Sequence, residues 1–157
     1  GLQIERAAIP VGAHSFDGMV NGFVHRIENN PNMRISLPVK KGDGRFKHGD
    51  DYAARVYVIF PHWLPLRTRS INYIWANRLA QGTAQPNTFT ANAMMLAVRS
   101  GENERGVWVA ERRNLLDDYR RLFGEDPPDE AIVAVMTDTD QTEETVEAWY
   151  DDITLTR

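Results

Sequence analysis

Arg55, Tyr73, Trp75, Glu111 and Arg113 have the side-chain chemistry to recognise a ligand rich in hydroxyl groups. Aromatic rings stack on the C–H faces of sugars, and guanidinium and carboxylate groups bond the hydroxyls. All five lie in segments whose apolar patterning reads as strand, so they can share one face of a sheet. The same residues also fit a second description: an ion pair between Arg55 and Glu111 lining a packed sandwich, with the rings as core. Structural ion pairs are the commoner use of such charges.

A second cluster is oxygen-rich: Asp138, Asp140 and Thr142, followed by Asp151 and Asp152. Calcium takes six to eight oxygen ligands, so Asp138, Asp140 and Asp152 are the expected ligands of a structural Ca2+. An EF-hand is excluded. Counted from Asp138, the glycine position holds Glu143 and the bidentate position holds Trp149. The plainer reading is a solvated turn in which Asp138 and Thr142 cap backbone amides. Glycoside hydrolysis needs two carboxyl groups roughly 5–10 Å apart, for which Glu111 with Asp138 or Asp118 would serve.

Other chemistries find little support. His14, His25, His48 and His62 lack zinc-site spacing, and no G-x-S-x-G elbow or phosphate-binding glycine loop occurs. The chain has no cysteine, which removes disulfides and thiolate chemistry. The net charge of -4 and pI near 5.6 argue against a nucleic-acid partner. No apolar run approaches the roughly 20 residues of a membrane span. The sequence begins at Gly1 with no signal-like segment, so it reads as a mature or trimmed chain and leaves export open. Trp63, in a loop with two prolines, is either an exposed stacking residue or a cover for a sheet edge.

The elements that must position these groups are mostly strands. Length and composition fit one domain over residues 1–157. Strands are expected around residues 19–27, 33–37, 52–60, 71–77, 90–99, 106–113, 131–137 and 146–155, with loops or turns at 40–51, 61–69, 78–90 and 139–144. In residues 52–60, Ala54, Val56, Val58 and Phe60 share one face and Arg55, Tyr57 and Ile59 the other, as in a strand covered on both sides. One helix of about two turns is expected after Asn114. Asn114 caps it, Asp117 and Asp118 sit at its start, Arg120 and Arg121 at its end, and Gly124 stops it. Eight strands with turn signals between them predict an all-β fold, an antiparallel β-sandwich with one short helix.

Five separated strings carry a resemblance: GDDYAARVYVIF (49–60), INYIWAN (71–77), SG with GVWVAERRNLLDDYRRLFGEDPP (100–128), AVMTDTDQT (134–142) and WYDDI (149–153). In this order they resemble a bacterial family, domain-of-unknown-function family 3047, over about residues 37–155. The resemblance implies a jelly-roll-like sandwich similar to carbohydrate-binding modules and a periplasmic or secreted location, but no reaction and no catalytic residue. The expected function is an exported module binding a glycan or similar polyhydroxylated ligand. The alternatives are a carbohydrate-active enzyme, hydrolase or lyase, using Glu111 and a nearby aspartate, and a structural or assembly protein without a ligand.

Overall fold

A computed structural model of the chain describes residues 20–23, 26–29, 32–37, 43–138, 146–151 and 153–156. The described residues form an all-β, sandwich-like fold with one α-helix. The strands are β1 (Val20–Phe23), β2 (Arg26–Asn29), β3 (Asn32–Leu37), β4 (Arg55–Phe60), β5 (Arg69–Ala76), β6 (Ala84–Pro86), β7 (Ala93–Ser100), β8 (Glu130–Met136), β9 (Glu147–Asp151) and β10 (Thr154–Thr156), with helix α1 at Leu115–Phe123. A six-stranded sheet runs β1-β8-β4-β5-β7-β6; β3 pairs with β9, and β10 with β2. All pairs are antiparallel except β5 with β7, so the expected antiparallel sandwich holds with one parallel pair. The chain returns between these two parallel strands through residues 77–92. Residues 78–90 of that stretch read as loop in the sequence, yet they contribute β6 at the sheet edge. Pro86, at the end of this three-residue edge strand, lacks a ladder donor and suits that place.

Alternation assigns the two faces of the sheet. Val56 lies opposite Tyr73, and Tyr73 beside Leu96; Val58 lies opposite Ile71 and Val133. With Phe60, Trp75 and Val98 these residues form the main core, which packs against Met33 and Ile35 of β3, Ala148 and Tyr150 of β9, and Leu115 and Tyr119 of α1. Full burial of each aliphatic side chain contributes about 1.5–3 kcal/mol. The opposite face carries Arg55, Tyr57, Asn72 and Ile74. It packs a smaller cluster of Tyr52, Ile74, Ala76, Met95 and Ala97. Both faces of β4 and β5 are therefore covered, as the apolar pattern of residues 52–60 predicts.

The helix forms where its local signals place it. The Asn114 side chain accepts from the Leu116 and Asp117 amides, and Gly124 closes the last turn at φ 76° with its N–H on the Arg120 carbonyl. Residues 106–113, read as a strand, are an irregular connector. Only Val109 makes a bridge, with Met33, while Val107 and Trp108 are exposed. Residues 146–155, read as one strand, divide into β9 and β10, which pair with different partners.

Candidate functional site

The five residues singled out from the sequence do not share one open face. Arg55 pairs across the sheet with Ile74, whereas Tyr73 pairs with Val56, so Arg55 and Tyr73 project from opposite faces. Tyr73 and Trp75 are each 2% exposed, which leaves no free ring face for a sugar. The Trp75 indole N–H donates to the Gly101 carbonyl at 2.8 Å. The Tyr73 hydroxyl donates to Asp118 Oδ2 at 2.9 Å, and Arg113 holds the same carboxylate through Nε (2.9 Å) and Nη2 (2.6 Å). Burial, reinforced by the Asp118 charge, raises the Tyr73 hydroxyl well above its ordinary pKa, so it remains a donor.

The expected Arg55–Glu111 pair does not form. Glu111 is bound by Arg99 at 2.7 Å, and Arg99 also meets Glu104 at 3.1 Å. Burial raises the pKa of Glu111 while Arg99 and Arg113 oppose that rise. Glu111, Arg113 and Tyr73 line a cavity of about 10 Å³. That is room for one water, far too little for a sugar ring. Arg55 is 5% exposed. Its Nη1 donates to the Tyr57 hydroxyl (2.7 Å) and its Nη2 to the Asp50 carbonyl (2.9 Å). The guanidinium carbon lies 4.7 Å from the Tyr52 ring centre and 5.4 Å from that of Tyr57. Tyr52, Tyr57 and the Asp50 carbonyl thus hold the guanidinium in place of Glu111, and the charge of Asp50 favours it as well.

Of the expected calcium ligands, Asp140 and Asp152 lie outside the described residues, as does Thr142. Asp138 follows β8, and its backbone N–H meets the Tyr52 carbonyl at 3.3 Å. Among the described residues no group of three His, Asp or Glu side chains is arranged to hold a metal, and no helix is long and apolar enough to cross a membrane.

The open polar cleft lies elsewhere, at the end of β4. It has a volume of about 460 Å³ and is lined by His62, Arg67, Arg69, Asn92, Glu125 and Asp126, over a floor that includes Phe60 and Tyr119. Its walls come from the proline loop between β4 and β5, the double-proline turn after α1, and Asn92 just before β7. The proline loop is fixed throughout. His62 N–H donates to Thr68 Oγ1 (3.2 Å), Leu64 N–H to His62 Nδ1 (2.9 Å), and Asn92 Nδ2 to the Leu66 carbonyl (2.7 Å). Residues Pro65–Arg67 form a single 3-10 turn with proline at its start, where its missing N–H costs no bond. This loop holds Trp63 at 87% and Leu66 at 83% exposure. Of the two readings of Trp63, exposure decides for the free ring. Across the cleft Arg69 is ion-paired with Glu125, hydrogen-bonded to the Tyr119 hydroxyl, and stacked 4.8 Å over the Phe123 ring. Arg120 pairs with Asp126. The sequence signal for this site was a tryptophan and two prolines in a short loop, and the missing knowledge was what stood beside it.

A second cleft, of about 680 Å³, lies by the smaller core, between the turn at residues 43–49 and residues 77–83. Its polar groups are largely engaged internally. Asp43 is chelated by Arg45 at 2.8 and 2.6 Å, and Gln85 Nε2 donates to the Gly44 carbonyl at 2.9 Å.

No curated protein and no solved structure matches the chain. A family model does match, over residues 32–154, and covers β3 to β9 with the helix, the proline loop and both clefts between them. On that match the chain belongs to the family described as "Protein of unknown function (DUF3047)".

Proposed function

We propose that this is an exported β-sandwich module that binds a glycan or similar polyhydroxylated ligand at the cleft between the proline loop and the turn after α1. The observation that carries the reading is Trp63: a large ring 87% exposed to water and 5.6 Å from the ring of His62, on a hydrogen-bonded loop whose His62, Leu66 and Arg67 line a polar cleft of about 460 Å³. Leaving so much apolar surface wet is unfavourable, and fixing the loop that displays it removes an ordering cost from ligand binding. Sugars match such a site because they offer an apolar C–H face to a ring and hydroxyls to the charged groups beside it. Glu125, Arg69 and Asn92 supply both acceptors and donors. A glycan array probed with the wild type and with Trp63→Ala tests the reading. Retention of a glycan by the wild type and its loss in the variant are expected. A wild type that retains no saccharide, or a variant that retains the same ones, overturns it.

A further inference from the structure

We infer that the glycan taken by this cleft carries an anionic group, a carboxylate or a sulfate, held by Arg67; the inference rests on the proposed glycan reading. It follows from which groups are already engaged. Both carboxylates on the cleft have an internal cation: Glu125 has Arg69, and Asp126 has Arg120. Asn92 spends an amide N–H on the Leu66 carbonyl. His62 accepts the Leu64 N–H at Nδ1, so in the neutral ring its proton is on Nε2 and is free to be donated. Among the described residues the Arg67 side chain has no ion pair and no hydrogen bond, while its backbone N–H is fixed to the Leu64 carbonyl at 2.8 Å. The lining itself balances, Arg67 and Arg69 against Glu125 and Asp126, but with Arg120 held on Asp126 from outside the cleft the group carries one positive charge more than negative, and it is that of Arg67, on a chain of net charge -4. A guanidinium anchored by its own backbone offers a planar fork of N–H groups, which matches the oxygens of a carboxylate or a sulfate two at a time. A neutral sugar would leave that fork solvated and unused.

The test compares polygalacturonate, its fully methyl-esterified form, neutral galactan and dextran sulfate, titrated into the wild type, Arg67→Ala and Arg105→Ala. Arg105→Ala removes the same charge from a loop outside the cleft. The expected result is at least about tenfold tighter binding of an anionic polymer than of the ester or the galactan, lost in Arg67→Ala and kept in Arg105→Ala. The preference should also weaken as salt rises. The two anionic arms separate carboxylate from sulfate. Equal binding of anionic and neutral polymers, or a preference that survives Arg67→Ala, overturns the inference and leaves the glycan reading in place. If neither these four nor any other saccharide binds, both fall together.

Discussion

Asp118 is the residue whose loss should cost the fold most for its size. Its carboxylate accepts the Tyr73 hydroxyl and two Arg113 N–H groups, and Arg121 lies 3.4 Å away. In Asp118→Ala the Tyr73 hydroxyl, fully inside the core, loses its acceptor, at about 1–3 kcal/mol. The half-buried Arg113 loses its counter-ion, and the start of α1 loses an acidic residue worth about 0.3–1 kcal/mol. Arg121 is exposed and rehydrates. The two numbered terms together come to about 1–4 kcal/mol, and the stranded Arg113 guanidinium puts the total toward the upper end of that range. Tyr73→Phe should cost only about 1–1.5 kcal/mol, because Asp118 keeps Arg113 and no charge is orphaned. In the Tyr73→Phe background, Asp118→Ala should then cost about 1–2 kcal/mol less than it does alone, since no hydroxyl is left stranded. Urea denaturation of the four proteins reads this directly. An Asp118→Ala penalty below about 1 kcal/mol, or additive single costs, would refute the claim that these groups hold the helix on the sheet.

Three further outcomes follow from other parts of the molecule. A methyl group at Gly44 would meet the Tyr52 hydroxyl at 1.8 Å, so Gly44→Ala should cost about 1–3 kcal/mol; Tyr52→Phe in the same chain should recover part of it, and no recovery in a melting experiment would contradict that contact. Arg45 holds the Asp43 carboxyl down at about 2, from an ordinary 3.8. Its stabilisation is therefore fully present above pH 3.8 and is lost as pH falls through about 2. Asp43→Asn should be less stable at pH 6, with the gap closing in acid; a constant gap would count against it. A structural Ca2+ at Asp138, Asp140 and Asp152 would raise the melting temperature in millimolar calcium, reversibly by chelator, and an unchanged melting curve removes the ion from the account.

Local signals in the sequence were legible and long-range ones were not. Asn114 and Gly124 mark the helix ends because capping is settled within a few residues. The apolar run at residues 131–137 and the two-sided pattern at 52–60 read correctly as strands, although β4 begins only at Arg55 and β8 is buried at Ala131 and Val133 and partly buried at its other apolar positions. The parallel pairing of β5 with β7 depends on a return of the chain that no local pattern encodes. Alternation at residues 106–113 misled because only Val109 among them reaches the core, while Val107 and Trp108 face water. The candidate site failed for a similar reason. Strand periodicity placed Tyr73 and Trp75 on a common face, as found, but not which face the second layer covers. Arg55 shows the same limit: alternation set it opposite Val56, and the site reading overlooked that Tyr73 follows Val56.

The central claim stands on Trp63. The most direct measurement is a calorimetric titration of an array-selected glycan into the wild type and Trp63→Ala, with melting curves of both. The account predicts at least about tenfold weaker binding in the variant, from the lost stacking and buried area. Stability should be unchanged within about 0.5 kcal/mol, because the ring is almost wholly in water. Equal affinities would contradict it.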